Sequence, residues 1–313
     1  MTDRDNRQVM FILSVKAGNG RSLGLSRRIE AIYRAKGRDD SLSILVTEHG
    51  AHAYEAAGAF ADKHGANGLV FICGGDGSTS EVANALAHKD AAMGVLPLGT
   101  ANDFSKMLYN KKEAKHLEGL IERSLNPDIR KIDLIRLNDH YSINIVSFGY
   151  DTIVLQNALW IMHKAPFVGK TGYALGVVKS LFSRKRFDLA IEWTDKDGET
   201  HESNHSLILG AICNGGYYGN GFNPAPMAAI DDGVLQICLA ETMKAHEFLP
   251  LIARYKKGTH IDHPKIRIAH VVEGVIRPVL PDTTVLANFD GIVFEEPEIR
   301  FAVEKDALNL AFI

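Results

Sequence analysis

Glycines, hydroxyls and carboxylates crowd into two short stretches of the 313-residue chain. They are Cys73-Gly74-Gly75-Asp76-Gly77-Ser78-Thr79-Ser80-Glu81 and, about twenty residues on, Leu96-Pro97-Leu98-Gly99-Thr100-Ala101-Asn102-Asp103-Phe104. A glycine turn lets backbone N–H groups come close to an anion, and a helix N-terminus behind it adds a favourable dipole. The chemistry this suits is the holding of phosphate, with phosphoryl transfer from a nucleotide as the first candidate. Asp76 sharpens the point, because a carboxylate inside a phosphate-sized turn repels the anion unless it binds a metal or takes a proton. GGxG alone would also serve an ordinary capped turn, and Ser78 with Glu81 has capping-box spacing. No GxxxxGK[ST] occurs, so a P-loop lysine is not available.

The elements that must position these turns follow from hydrophobic period. Each turn comes after a short apolar run, LVFI at 69–72 and GVL at 94–96, and opens an apolar-periodic helix. Up to about residue 130, strand-like runs (VMFILSV, LSILVTE, GLVFICGG) alternate with amphipathic segments (RSLGLSRRIEAIYRAKG, AYEAAGAFADKHG). Such alternation predicts parallel strands with crossover helices, and ligands in that architecture bind at the carboxyl ends of the strands. From about residue 131, short β-type runs dominate: KIDLIRL, YSINIVSF, DLAIEWT, SLILGAICN, GVLQICLA, KIRIAHVV, TVLANFDG and EIRFAV. Helical stretches near 171–183 and 247–257 interrupt them. The fold expected is α/β, an N-terminal open α/β nucleotide-binding domain followed by a C-terminal β-rich sandwich. The boundary near Asn126-Pro127 is soft.

Composition narrows the class of partner. A net charge of −3 without a basic stripe argues against nucleic acid. No run reaches about 18 apolar residues, so no membrane span is expected. Cys73, Cys213 and Cys238 are far apart, odd in number and set in apolar contexts, which suits free thiols and a cytoplasmic location. The 13 histidines show no metal-binding spacing. Trp160 to Val168 and Leu181 to Arg186 put apolar residues beside a basic cluster, as a membrane-touching face would, although a core helix with a solvated basic end is the plainer account.

GGDGSTSEVANAL followed by GVLPLGTANDFSKML resembles the paired signatures of the diacylglycerol kinase catalytic family, the bacterial soluble lipid kinases related to sphingosine and ceramide kinases. The likeness continues through KIDLIRLNDHYSINIVSFGYDTIV and ICNGGYYGNGFNPAPMAAIDDGVLQI, in the family's order. NAD kinase shares GGDG but is disfavoured by LPLGTANDF. The resemblance implies an N-terminal domain like those of phosphofructokinases and NAD kinases over residues 1–131, a lipid-substrate domain over 132–295, and final strands at 296–313 returning to the first. It implies ATP and Mg²⁺ in the cleft. Thr47, Gly74, Gly75, Asp76, Gly77, Ser78, Thr79, Ser80 and Thr100 fall on the nucleotide contacts, Asp133 on a carboxylate ordering magnesium and water, and Asp232 with the carbonyls of Ala229 and Val234 on a metal site.

One departure matters most. Where the family ends in Asp-Gly-Glu and the glutamate acts as base, this chain reads Asp290-Gly291-Ile292. On an extended strand Asp290 would face the same side as Ile292, roughly 6–7 Å away, which makes Asp290 and Asp76 the candidate bases. A second departure is Ser14-Val15 where Asn-Pro is usual. The function expected is ATP-dependent phosphorylation of a lipid hydroxyl, that of diacylglycerol first. The alternative is a catalytically impaired relative that binds nucleotide or lipid as a regulatory module. Expected partners are ATP, a membrane lipid met by transient peripheral contact, and a second copy of the chain as a homodimer.

Overall fold

A computed structural model describes residues 7–15, 21–150, 152–153 and 187–313. Lys16 to Gly20, the Trp160–Val168 and Leu181–Arg186 stretches and the expected helix at 171–183 lie outside the described residues.

The first half is a parallel sheet wrapped by helices. β1 (Gln8–Leu13), β2 (Leu42–Val46), β3 (Gly68–Gly74) and β4 (Ala92–Pro97) stand in the order β4-β3-β1-β2. α1 (Arg21–Ala35), α2 (His52–His64) and α3 (Asp76–Leu86) make the crossovers. β3 and β4 are buried along their whole length, which is why they read as continuous apolar runs. Two apolar layers flank the sheet. One holds Ile12, Ile72, Val82 and Leu86, and the other Phe11, Ile29, Tyr33 and Phe71. α4 (Leu117–Ser124) closes the second layer through Leu120 and Ile121.

The β-rich half contains β5 (Asp128–Leu137), β6 (His140–Ser142), β7 (Ile145–Gly149), β8 (Phe187–Asp195), β9 (Thr200–Cys213) and β10 (Leu235–Glu241). It continues with α5 (Ala245–Lys257), β11 (Ile266–Pro278), β12 (Val285–Phe289), β13 (Ile292–Glu296) and β14 (Ile299–Phe312). β8 pairs with both β9 and β11, and both of those pair with β10, so the long strands β9 and β11 serve both layers of a sandwich. Phe148, Ile191, Ile212, Ile237, Val271, Ile276 and Phe301 fill the space between. β14 joins the halves: residues 299–302 pair with β11, and Asn309 and Leu310 pair in parallel with β4. No helix among the described residues is long and apolar enough to cross a membrane.

Candidate active site

β1 sends the chain toward β2 while β3 sends it toward β4, so the carboxyl ends of these neighbours form the crevice where open α/β sheets bind ligands. The first glycine turn sits there. Gly75 is the N-cap of α3, in an extended conformation (φ −102°, ψ −173°) with no side-chain cap. The capping box expected at Ser78 and Glu81 is therefore not formed, because the helix opens at Asp76 and Ser78 lies inside its first turn. Thr79 instead turns inward and donates its hydroxyl to the Gly75 carbonyl at 3.0 Å. The first amides of α3 are left without a side-chain cap, the arrangement that receives anions.

The second turn is packed on the first. Leu98 and Gly99 donate N–H groups to the Gly74 carbonyl at 2.9 and 3.0 Å. A Cβ placed on Gly99 would fall 2.4 Å from the Gly75 Cα, so the two turns touch backbone to backbone only as glycines. Gly77 differs: it is exposed, and nothing lies within 4 Å of where its Cβ would be. Thr100, on the second turn, is exposed as well. Thr47, just past β2, ties β2 to β1 by donating its N–H to Leu13 at 3.0 Å and accepting the Val15 N–H at 3.3 Å. Ser80 is buried with its hydroxyl unpartnered, and it borders an open groove of about 1110 Å³ that also touches Tyr54, Asn84, His140, Tyr141 and Ile292.

Three carboxylates meet at this crevice. Asp76 accepts the N–H groups of Asp103 (2.7 Å) and Phe104 (3.3 Å) on one oxygen, Oδ1. Burial, and then the charge of Asp103, raises its proton affinity above that of an ordinary aspartate. Asp103, which the sequence reading passed over, is 5% exposed and accepts the N–H groups of Asn220 and Gly221, each at 2.9 Å. The only signal for it was its place in the second glycine segment. Asp290 is the third. It does not lie on an extended strand as expected: Asp290 and Gly291 (φ 47° and 93°) form the two-residue turn between β12 and β13, across which Phe289 pairs with Ile292. Its oxygens accept the N–H groups of Ile143 (3.0 Å), Asn144 (3.2 Å) and Ile145 (3.3 Å). Burial, with a further push from the charge of Asp76, raises its pKa to about 6. Ile292 begins β13 and is 44% exposed toward the groove.

Asp133 and Asp232 form a second, separate group. Asp133 accepts the Gly233 N–H on Oδ2 (2.6 Å) and the Asp306 N–H on Oδ1 (3.0 Å). Each oxygen thus accepts one backbone amide, and Asp133 clamps the irregular step in β14 to the turn before β10. Asp232 lies beside it and accepts the Val234 N–H at 3.1 Å. Burial raises its proton affinity, and the charges of Asp133 and Asp231 add to that. A hard divalent cation at this carboxylate would relieve the repulsion.

Residues 8–137 match the family model described as the diacylglycerol kinase catalytic domain, and residues 144–312 match the one described as the YegS C-terminal NAD kinase beta sandwich-like domain. The chain is 34% identical over 252 residues to the "Probable lipid kinase YegS-like" of Shewanella frigidimarina, covering 77% of this chain and 75% of that one. It is 27% identical over 201 residues to the "Diacylglycerol kinase" of Staphylococcus haemolyticus, covering 63% of this chain and 58% of that one. A solved structure described as a "putative diacylglycerol kinase from Bacillus anthracis str. Sterne" superposes with a TM-score of 0.78 over 98% of both chains at 22% identity, a likeness of fold.

Proposed function

The chain belongs to the diacylglycerol kinase catalytic family, and from that premise we propose that it phosphorylates the hydroxyl of a membrane lipid, diacylglycerol first, with ATP as donor and Mg²⁺ as its metal. The observation that carries this is the uncapped N-terminus of α3 at the switch-point crevice, roofed by the second glycine turn and open at Gly77. The free amides of α3 would hold the transferred phosphate, with Ser78 and Thr100 as further donors and Thr47 at the nucleoside side. When bound, Mg²⁺ supplies charge neutralisation for the phosphates, and Asp232 with the carbonyls of Ala229 and Val234 would hold a cation that stiffens the turn before β10. Asp76 is the base. Its second oxygen faces no backbone donor among the hydrogen bonds described, and its raised proton affinity suits it to take the proton of the lipid hydroxyl as the new O–P bond forms. Phosphoryl transfer depends mostly on positioning and charge, so a modest base suffices. The site of action proposed is the cytoplasmic membrane surface, reached by peripheral contact.

A second account, a nucleotide- or lipid-binding module without transfer, draws on one observation. Asp290 is spent on three backbone amides and Ile292 is hydrocarbon, so neither acts as the family's glutamate does. Labelled-ATP transfer onto a lipid panel, with Asp76→Ala beside the wild type, separates the two.

A further inference from the structure

The turn after β9 has an unusual backbone. Gly219, Asn220 and Gly221 have φ values of 57°, 67° and 93°, three left-handed residues in a row, closed by a Tyr218–Phe222 bridge. Left-handed backbone at a non-glycine residue such as Asn220 persists only where its surroundings hold it. Consecutive N–H groups in such a turn converge to make a small anion-binding hollow. Here the hollow is filled from within the chain: Asn220 donates to Oδ2 and Gly221 to Oδ1 of Asp103. Lys106 pairs with the same carboxylate and also donates to the Ala101 carbonyl at 2.9 Å, which makes the burial of Asp103 tolerable. The backbone N–H of Asp103 in turn donates to Asp76. One residue therefore joins the phosphate turn, the second glycine turn and a loop of the β-rich half.

We propose that Asp103 is a positioning residue, whose carboxylate seats the 219–221 loop while its own amide holds Asp76, so that the orientation of the base is set by contact with the β-rich half. Gly216 adds to the seating by donating its N–H to Met107 Sδ at 3.2 Å, in the 3₁₀ turn that follows Asp103. The inference rests on the kinase reading only where it concerns transfer.

The test is amide hydrogen exchange on nucleotide-free protein, wild type against Asp103→Asn, followed by transfer kinetics. Asparagine keeps the shape but offers one acceptor and turns a donor toward the other amide. Protection of the Asn220 and Gly221 amides is expected to fall at least about tenfold, the scale of one lost charge-assisted bond. The transfer rate kcat should fall at least about tenfold while ATP affinity stays within about twofold, because the amides of α3 are untouched. Unchanged protection at both amides overturns the proposal, as does equal loss of kcat and ATP affinity. A measurement on the wild type alone guards against a variant that does not fold: the amides of Asn220 and Gly221 should open together with those of Asp103 and Phe104, and free exchange at 220 and 221 while 103 and 104 are protected overturns it. Absence of any lipid transfer by the wild type would remove the kinase reading and leave the exchange result standing.

Discussion

Gly77 and Gly99 belong to the same pair of turns, yet substitution should separate what they do. Gly77 has open space around it, so Gly77→Val should fill the room an anion needs, weakening ATP binding at least about tenfold in calorimetry with little change in melting temperature. Gly99→Ala should act on folding instead, because its methyl would meet the Gly75 Cα at 2.4 Å; a loss of about 1–3 kcal/mol in denaturant melts is expected. The carboxylates make a pH prediction. Burial raises the proton affinity of Asp76, so the acid limb of transfer should lie above the ordinary aspartate range, and Asp76→Ala should remove the limb along with about 10²–10⁴-fold in rate. Asp290 binds its proton more tightly folded (pKa about 6) than at its ordinary value of 3.8. Its contribution to stability is therefore present below about pH 4 and falls as pH rises to about 6. In Asp290→Ser the dependence of melting temperature on pH should lose that downward component. Asp290→Ser should also expose the Ile143–Ile145 amides to exchange.

At the level of elements, the clearest lesson is the break between β6 and β7. YSINIVSF reads as one strand by its alternation, but Ile143, Asn144 and Ile145 turn their amides to Asp290 and the strand divides there. Nothing local in the sequence announces a partner that lies some 145 residues away in the chain. The same reason hid the role of Asp133, whose two amide partners come from the turn before β10 and the step in β14. By contrast α1, α2 and β3 were legible, because their periods and flanking glycines are local facts. Asp133→Ala should leave the buried Gly233 amide and the part-buried Asp306 amide without their acceptor and cost about 1–3 kcal/mol, seen as a lower midpoint in urea. Asp232→Ala tests the neighbouring cation site: Mg²⁺ should raise the melting temperature of the wild type and not of the variant. An equal response in both would leave Asp232 as an ordinary turn residue.

For the molecule as a whole, sequence order carried more than any single motif. The two glycine segments, the strand pattern after them and the Asn-Gly-rich loop recur in the family's order, and the family models match residues 8–137 and 144–312. Left illegible were three long-range contacts: Asp103 on the 219–221 loop, which joins the halves, and, within the β-rich half, Asp133 on β14 and Asp290 on the β6–β7 corner. All three pair a carboxylate with backbone amides far off in sequence, and no spacing rule encodes such pairs. The central claim is that this crevice transfers phosphate from ATP to a lipid hydroxyl with Asp76 as base. The direct measurement is transfer of label from γ-labelled ATP, in Mg²⁺, onto lipid alcohols presented in mixed micelles. The account predicts labelled phosphatidic acid from diacylglycerol with the wild type, and a loss of about 10²–10⁴-fold with Asp76→Ala. Tight ATP binding with no label in any lipid, or equal labelling by wild type and Asp76→Ala, would contradict it.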